Sequence, residues 1–441
     1  MQVRQAARAA ADVGNAASVP DAPSPRELLR DRTVAVLVGL ELLSSLAHGA
    51  TLTALGWQAY ARSHDPLVLG LLGLAEFVPA VVLALPAGHV IDRHDRRVVA
   101  GLGLAASAAV TAALASDAGL GDHAVWPLYA LAFAWGAANA FVGPTLDPLL
   151  AAAVAPAALS RVVALATSVG QAAMVAGPAV GGVTQSLGAP APYLFAAAFT
   201  GAAAALVAAV RREVGIAHVG EHEPTLADVL GGIRFIRTTR TVLGAISLDL
   251  MAVLLGGATA LLPVFARDIL HVGAAGNGLL RAAPAAGAVI VGAALSASPL
   301  RRRIGSTLFA AVALFGTFTV VFGLSRSVVL SLAALAALAG ADMVSMLIRG
   351  TLVPLLTPPG LRGRVSAVER VFIGASNELG AFESGVAAAL VGAVPAVVLG
   401  GAAAVAVAAV WAWRFPELRR IDRFDDLAPA GAAGLAAVAG E

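Results

Sequence analysis

The sequence has no cysteine, no lysine and few charged residues of any kind. Without cysteine, the chain has neither disulfides nor thiolate metal sites. Only 13% of its 441 residues are charged, whereas 59% are hydrophobic. A water-soluble domain needs roughly a quarter of its residues charged. We therefore predict that lipid solvates much of this chain.

Long apolar runs dominate the sequence instead. A helix needs about 20 mostly apolar residues to cross a bilayer, and twelve runs approach that length. They lie near residues 34–58, 67–88, 98–116, 124–146, 159–187, 191–210, 242–266, 275–297, 305–323, 328–350, 366–392 and 394–413. The sequence predicts an all-α polytopic membrane protein of twelve transmembrane helices, numbered span 1 to span 12 in chain order.

The arginines predict the orientation of these spans. Arg62, Arg267 and Arg326 fall in loops on one side, and Arg281 and Arg349 fall within spans. The other 24 of the 29 basic residues lie in or beside the tails and the loops on the opposite side. Arginine concentrates on the cytoplasmic side, so both termini are predicted to be cytoplasmic. A composition rich in Arg, Ala and Gly favours a bacterial protein, and therefore a bacterial inner membrane. The arginines lie in short loops between apolar runs, so they do not indicate nucleic-acid binding.

Two halves of the chain resemble each other at an offset of about 208 residues. The matched segments are 40–42 with 248–250, 49–51 with 257–259, 70–72 with 278–280, and 145–150 with 351–356. A six-helix repeat whose ends lie on one side gives two parallel, pseudo-symmetric bundles, an arrangement found in secondary transporters. The predicted substrate path runs between the bundles near the membrane midplane.

The longest internal loop separates these halves. Its residues 226–236 have apolar positions at helical spacing, which predicts a short amphipathic helix on the membrane surface. The predicted organisation is a disordered tail at 1–32, a six-helix bundle at 33–210, the cytoplasmic linker at 211–241, a second bundle at 242–414 and a tail at 415–441.

Charged residues within the spans are the first functional candidates. A charge at the centre of a membrane helix costs at least about 2.5 kcal/mol, and buried carboxylates form proton relays in transporters. The predicted spans 3, 6, 9 and 12 carry no charge and are expected to face lipid. The proton-coupling candidates are Glu41, Asp249, Asp342 and Glu378, of which Glu41 and Asp249 are repeat counterparts. Alternatively, a neighbouring hydroxyl or amide satisfies each carboxylate structurally.

Other polar residues in the spans are candidates for lining a substrate cavity. They are Gln171, Asn139, Arg281, Arg349, Asn377 and Glu383. Arg281 either binds a substrate anion or forms a structural ion pair with a carboxylate such as Glu383. Arg349 pairs with another helix or extends to the cytoplasmic interface.

The loop after span 2 predicts a conformational latch formed by Gly88, Asp92, Arg93, Arg96 and Arg97. An aspartate there can cap the N-terminus of a facing helix, for which span 11 is the expected partner. The arginines can bind carboxylates or lipid phosphates. Alternatively, the arginines of this loop only set the orientation of the spans in the membrane. That alternative does not explain the spacing of Gly88 and Asp92.

Span 5 contains a helix-packing motif formed by Gly177, Pro178, Gly181 and Gly182. Small residues at this spacing let two helix backbones approach closely. Proline bends the helix because it removes a backbone hydrogen bond. The motif therefore predicts close packing around span 5.

These motifs resemble the major facilitator superfamily over roughly residues 33–423. Residues 88–97 resemble its signature between helices 2 and 3, with Asp95 replacing the second glycine. The span 5 motif is similar to one in antiporters, with Ala173 where a further glycine is common. Residues 56–60, 261–266, 362–367 and 376–380 resemble the enterobactin-exporter-like branch.

The resemblance implies the major facilitator fold and export of a small organic molecule, driven by inward proton flow through alternating access. Drug antiporters often carry an arginine in helix 4. Span 4 has Trp135 and Asn139 but no arginine, so the coupling scheme of those antiporters does not transfer directly. Glu41 and Asp249 are therefore coupling candidates because of their positions within the spans, and not because of the coupling scheme of those antiporters.

The sequence thus predicts a monomeric, proton-coupled exporter of a siderophore-like or drug-like molecule, without cofactor or metal. An importer or uniporter on the same fold is the first alternative, because sequence does not fix direction. A polytopic enzyme or scaffold is the second. The histidines are scattered, except for His218 and His222 in the linker, and their spacing is better explained by a solvated loop than by a metal site.

Overall fold

A computed structural model describes residues 28–121, 124–154, 156–210 and 226–427, which are almost entirely helical. The spans of the first half are Arg32–Ser63, Pro66–Arg93, Arg96–Leu120, Trp126–Ala153, Pro156–Gln185 and Ala191–Ala208. Those of the second are Arg240–Ile269, Gly273–Ala297, Ile304–Leu324, Val328–Leu356, Arg362–Val391 and Ala393–Arg414. This architecture confirms the predicted fold class.

Ten of these helices in the described ranges are long and apolar enough to cross a membrane on their own. Spans 4 and 11 are long enough, at 28 and 30 residues, but are more polar. Span 11 carries Glu378 and Glu383, and span 4 carries Asn139 and two internal prolines. Both pack against span 2, so neighbouring helices shield part of their polar surface.

Aspartates begin three of the helices. Asp31, Asp65 and Asp95 each accept a hydrogen bond from the backbone N–H two residues later, at 2.8–2.9 Å. Such a side chain satisfies one of the N–H groups that a helix N-terminus leaves unpaired. Gly121 ends span 3 with a φ of 67°, a left-handed conformation that glycine adopts without strain.

Spans 3 and 6 pack together at the edge of the first bundle, as do spans 9 and 12 in the second. These helices expose large apolar side chains, including Leu102, Leu194, Leu314 and Leu399. Such surfaces fit the prediction that the four helices face lipid. The helix of span 3 is longer than the predicted apolar run: it continues past residue 116 and includes Asp117.

Asp117 belongs to a buried polar network at the end of span 3. The Arg62 guanidinium lies 2.8 Å from its carboxylate, and the Gln58 amide donates to the same carboxylate at 3.1 Å. The Tyr193 hydroxyl donates to Gln58 at 2.5 Å. This network joins spans 1, 3 and 6, and its internal pairing offsets the cost of burying charge.

Span 7 is broken in the middle. Its first helix ends at Leu255, and after Gly256 and Gly257 the chain continues through short turns from Ala258 to Ile269, the last of them π-helical. A methyl group at Gly257 would lie 3.0 Å from the Gly380 carbonyl of span 11. The break therefore lies where the backbones of spans 7 and 11 are in close contact.

Two segments outside the spans pack on the second bundle. The linker helix Leu226–Thr238 lies against span 11 and buries Ile236. The sequence predicts a tail from residue 415, but residues 415–427 dock on the start of span 9, because Phe415 and Leu418 are apolar and become buried. The predicted tails at 1–27 and 428–441, and linker residues 211–225, lie outside the described residues.

Candidate functional site

The contacts between the two halves that the structure shows concentrate at one end of the molecule. We call the end that carries Arg32, Arg240 and Arg414 the arginine-rich end, and the other the opposite end. At the opposite end, the Tyr60 hydroxyl of span 1 donates a hydrogen bond to the Asp268 carboxylate of span 7. The halves are therefore closed against each other there.

Glycines make this closure tight. A methyl group at Gly278 of span 8 would lie 2.6 Å from the Pro178 carbonyl and 2.8 Å from the Gly182 Cα atom of span 5. One at Gly70 of span 2 would lie 3.0 Å from the Phe382 backbone of span 11. Cβ atoms essentially never lie as close to backbone atoms as the distances at Gly278, and the distance at Gly70 requires the neighbouring backbone to shift, so side chains at these positions would push the halves apart.

The span 5 motif serves two different contacts. Gly177 and Gly181 face span 1, where added methyl groups would meet the Leu46 carbonyl and the backbone of Ala50. Gly182 faces span 8 in the other half. The sequence predicts close packing but not this division between packing inside one bundle and contact between the two.

A cavity of about 870 Å³ lies between the halves. Spans 1, 4, 5, 7 and 8 line it, and it extends from the level of Arg281 towards Leu37, Leu150 and Val163 near the arginine-rich end. Its volume lies within the range of pockets that hold small organic molecules. The polar and charged lining residues are Glu41, Ser45, His48, Thr167, Gln171, Thr259 and Arg281.

Glu41 contributes a carboxylate to the cavity wall formed by the first half. The Ser45 hydroxyl donates to Glu41 Oε1 at 3.0 Å, and no ion pair to Glu41 occurs among the described residues. A methyl group at Gly170 of span 5 would lie 2.8 Å from the same oxygen. Gly170 therefore provides the space in which the Glu41 carboxylate sits.

Arg281 contributes a guanidinium from the second half. Its Nη1 atom lies 3.8 Å from the position of a methyl group at Gly56, so the side chain crosses to span 1 of the first half. In the described part of the chain it forms no direct ion pair, although Glu76 and Glu378 are close enough to interact with it electrostatically. Glu383, its predicted partner, is exposed on span 11 and does not pair with it.

Glu76 and Glu378 approach each other across the interface between spans 2 and 11. The Glu378 Oε2 atom lies 3.2 Å from the position of a methyl group at Gly73, so this carboxylate faces span 2. His48 interacts with Arg281 as well. The sequence did not single out His48, although its spacing of seven residues from Glu41 places both on one helix face.

Asp249 and Arg349 form an ion pair inside the second bundle. Asp249 Oδ1 lies 2.6 Å from Arg349 Nη2, and both side chains are buried. Asp342 and Glu369 lie near enough to interact with both. The repeat counterparts therefore occupy different environments: Glu41 lines the cavity, whereas Asp249 has a fixed cation.

The remaining candidates are dispersed. Gln171 lines the main cavity. Asn139 lines a neighbouring cavity of about 270 Å³ together with Glu41 and His48, and its amide donates to the Trp135 carbonyl at 2.9 Å. Asn377 is exposed and lies outside the main cavity lining.

The predicted latch residues lie at the arginine-rich end. Asp92 and Arg93 are exposed, and no described contact joins Asp92 to span 11. Arg97 donates to the Val210 carbonyl and to Asp95, the latter at 3.4 Å. Gly88 has open space around its Cα atom, and Arg96 is half-buried.

Metal binding finds no support in the described residues, where no three His, Asp or Glu side chains cluster as a metal site would require. His218 and His222 lie outside the described ranges. The main cavity combines a mostly apolar lining with one carboxylate, that of Glu41, and one guanidinium, that of Arg281.

Comparison with known sequences decides the family. The model of the Major Facilitator Superfamily matches residues 37–381, which extend from span 1 into span 11 and so include parts of both halves. The chain belongs to the major facilitator superfamily. It is also 29% identical to an uncharacterised MFS-type transporter of Sinorhizobium fredii (strain NBRC 101917 / NGR234), over 78% of this chain and 85% of that protein.

Solved structures of major facilitator transporters share the fold. A point mutant of the nucleoside transporter NupG superposes with a TM-score of 0.70 at 13% identity, covering 87% of this chain and 100% of that one. A POT family transporter in complex with a thioalcohol-conjugated peptide gives 0.69 at 11% identity, covering 88% and 96%. A bacterial homologue of ferroportin in an inward-facing state gives 0.67 at 15% identity, covering 89% and 100%.

The major facilitator assignment makes this chain a multi-span membrane protein of a transporter family, and points to transport of small molecules instead of catalysis. The resemblance to the enterobactin-exporter-like branch stays a prediction.

Proposed function

We propose that this protein is a proton-coupled exporter that moves a small, siderophore-like or drug-like organic molecule by alternating access. The observation that carries the proposal is the cavity between the halves, whose lining extends towards the arginine-rich end while the halves are in contact at the opposite end. The arginine bias assigns the arginine-rich end to the cytoplasm of the bacterial inner membrane. The described conformation is then inward-facing and ready to accept a cytoplasmic substrate.

The contacts at the closed end support a reversible closure. They consist of helix backbones that meet at Gly70, Gly182 and Gly278, and of the hydrogen bond from Tyr60 to Asp268. Moving a two-state equilibrium almost completely from one state to the other takes about 5.5 kcal/mol. The free energy of a few such contacts, together with that of substrate binding, is of this magnitude, so forming or breaking them can shift the equilibrium between the two conformations.

Glu41 is the proton carrier in this proposal. It lies in the same cavity as the substrate, and it makes no ion pair among the described residues that would hold it permanently ionised. A protonated Glu41 no longer attracts a positively charged group, so proton and substrate exclude each other at this site. Such competition is what exchange of protons for substrate requires.

Asp249, Asp342 and Glu378 form a second set of coupling candidates. Asp249 interacts directly with Arg349, and Glu378 faces Glu76 across the interface. Protonation of either carboxylate changes the charge balance around a buried arginine. In this proposal these groups set the relative stability of the two conformations, whereas Glu41 exchanges protons with the substrate.

A flux measurement in proteoliposomes tests the proposal. Purified protein is reconstituted with a trapped pH dye, and candidate molecules are screened for proton movement that follows their addition. We expect an imposed pH gradient to drive substrate uphill, out of the side that corresponds to the cytoplasm. A Glu41→Gln variant should still exchange substrate down its gradient but should lose the response to pH.

The same experiment separates the alternatives. Substrate and proton moving in the same direction would establish an importer, and flux that ignores the pH gradient would establish a uniporter. If no solute moves under any gradient, a scaffold or an enzyme remains and the exporter proposal fails.

A further inference from the structure

Two charges of opposite sign in the cavity lack ion-pair partners. The Glu41 carboxylate belongs to the first half, and the Arg281 guanidinium belongs to the second. Neither forms a direct ion pair within the described ranges, and they do not pair with each other. A charge removed from bulk water is costly unless a group of opposite sign compensates it, and such a residue in a membrane protein indicates a functional site.

The two charges are separated along the cavity. His48 follows Glu41 by seven residues on span 1, which is about 10 Å at the rise of an α-helix, and His48 lies near Arg281. The Glu41 carboxylate and the Arg281 guanidinium therefore lie at different levels of the cavity, about two helical turns of span 1 apart. A ligand that satisfies both must carry its charges at two separate ends.

The surface between these charges is largely apolar. Leu40, Leu52, Met174, Leu262 and Pro284 line the cavity between or beside them. Gln171, Thr167 and Thr259 add a few neutral hydrogen-bonding groups. This lining suits an apolar body between two charged groups.

We propose that the substrate is an amphipathic zwitterion, with a cationic group that binds Glu41 and a carboxylate or similar anionic group that binds Arg281. The planar guanidinium binds carboxylates with two parallel hydrogen bonds. This inference rests on the proposed function, because it names the substrate class of the same cavity. It also agrees with proton exchange at Glu41, where a proton and the cationic group exclude each other.

Substrates with a single charge fit less well. An organic cation would pair with Glu41 and leave Arg281 without a direct partner. An organic anion would do the reverse. The competing structural explanation is that Glu76 and Glu378 alone compensate Arg281 at longer range, in which case Arg281 contributes nothing to ligand selectivity.

Binding to matched probe triplets tests the proposal. The probes are 8-aminooctanoic acid and the dipeptide phenylalanyl-leucine, each compared with its N-acetyl form, which is an anion, and its carboxamide, which is a cation. Affinity is measured by calorimetry on the purified full-length protein at one pH without any gradient. We expect each zwitterion to bind about 10- to 100-fold more tightly than either blocked form, as for loss of one charge-assisted hydrogen-bonded contact.

Variants then assign each end of the ligand. Glu41→Gln should abolish the preference for the free amine over the N-acetyl form and keep the preference for the acid over the amide. Arg281→Gln should do the opposite, and Arg281→Lys, the alternative if that variant does not fold, should retain part of the preference for the acid. Glu417→Gln and Arg326→Gln remove exposed charges away from the cavity and should change neither preference.

Equal affinity for the three members of both triplets, or binding of no zwitterion at all, would overturn the proposal. So would an Arg281→Gln variant that still distinguishes acid from amide, since Arg281 would then be purely structural. These binding results are independent of coupling. If zwitterions bind as expected but an imposed pH gradient drives no flux, the exporter proposal fails and the substrate class stands.

Discussion

Asp249 and Arg349 are joined at 2.6 Å inside the second bundle, where both side chains are buried. Removing one member of a buried ion pair leaves the other uncompensated and typically costs about 3–5 kcal/mol. We expect Asp249→Asn to lower the thermal stability of the purified protein clearly. The double variant Asp249→Asn/Arg349→Gln should recover most of that loss, because it leaves no unpaired charge.

The double variant also separates stability from coupling. If Asp249 participates in proton coupling, the stable double variant should bind substrate and still fail to respond to a pH gradient in everted vesicles. Undiminished proton-driven efflux in that variant would exclude Asp249 from the coupling mechanism and leave the ion pair as a structural element.

Gly182 is predicted to control which end of the protein opens. A methyl group there would lie 2.7 Å from the Ala274 carbonyl of span 8, so Gly182→Val should prevent closure of the opposite end. Because the chain has no cysteine, a Ser45→Cys substitution provides a single reporter within the cavity. We expect membrane-impermeant thiol reagents to reach it from the cytoplasmic side in the parent and from the periplasmic side in the Gly182→Val variant.

Gly201 on span 6 is the matched control for that experiment, because a methyl group there meets nothing within 4 Å. Gly201→Val should leave the labelling pattern of the parent unchanged. Identical labelling of both valine variants would mean that close contact at Gly182 does not hold the halves together.

The Tyr60 hydroxyl is predicted to stabilise the inward-facing state. Tyr60→Phe removes its hydrogen bond to Asp268, and a hydrogen bond to a charged group contributes about 1.5–3 kcal/mol. The population of the outward-facing state should rise about tenfold or more, which distance distributions between spin labels on the two halves measure. Tyr129→Phe is the control, since the Tyr129 hydroxyl makes no hydrogen bond among the described residues, and it should cause no such shift.

Gly170 is predicted to matter for the position of Glu41 and not for the fold. In Gly170→Ala the new methyl group would meet Glu41 Oε1 at 2.8 Å, and the flexible carboxylate can move away at little cost. We expect unfolding temperature to stay close to that of the parent while affinity for a cationic group falls several-fold. Gly143→Ala on span 4, where space is open, should change neither quantity; loss of stability in Gly170→Ala would argue against this explanation.

Docking of residues 415–427 is predicted to depend on pH. The Arg303 backbone N–H donates to the Asp422 carboxylate at 3.0 Å and holds the pKa of Asp422 below its ordinary value, with Arg302 assisting. A carboxylate whose pKa is lowered in the folded state stabilises that state above the unfolded value of about 3.9, and the contribution disappears as pH falls further. Hydrogen exchange of Gly305, whose N–H donates to the Ile421 carbonyl, should therefore accelerate at acidic pH.

Asp422→Asn should show the fast exchange of Gly305 at neutral pH as well. Asp425→Asn removes an exposed carboxylate of the same segment that pairs only with Arg423 among the described residues, and serves as the control. An exchange rate that is equally slow in both variants would show that the apolar contacts of Phe415 and Leu418 hold the segment alone.

The sequence predicts the spans because a bilayer imposes a length and a polarity on each helix. The sequence predicts a helix end or a tail less well when a charged or apolar side chain there pairs with a residue distant in sequence. Asp117 extends span 3 beyond the apolar run because Arg62 neutralises it, and Phe415 orders a segment that looks like a tail. Both outcomes depend on partners distant in sequence.

The surroundings of the candidate site residues also depend on partners distant in sequence. Internal repetition places Glu41 and Asp249 at equivalent positions, but it gives no information on their surroundings, which differ in Gly170 beside one and Arg349 beside the other. Arg281 is recognisable as a charge within a span, whereas its proximity to Glu76 and Glu378 arises only when spans 2, 8 and 11 assemble. His48 was not predicted as a site residue because a single histidine in an apolar helix forms no motif with recognisable spacing.

The network of Arg62, Asp117, Gln58 and Tyr193 braces three helices of the first half at the closed end. The second half has no described counterpart to it there, and span 7 is interrupted at Gly256 and Gly257 instead. When the closed end opens, the first half is therefore expected to rotate as a stiff unit, and the bending to be confined to the second. Mechanical asymmetry between two domains of common origin would let one serve as a frame and the other as the moving gate.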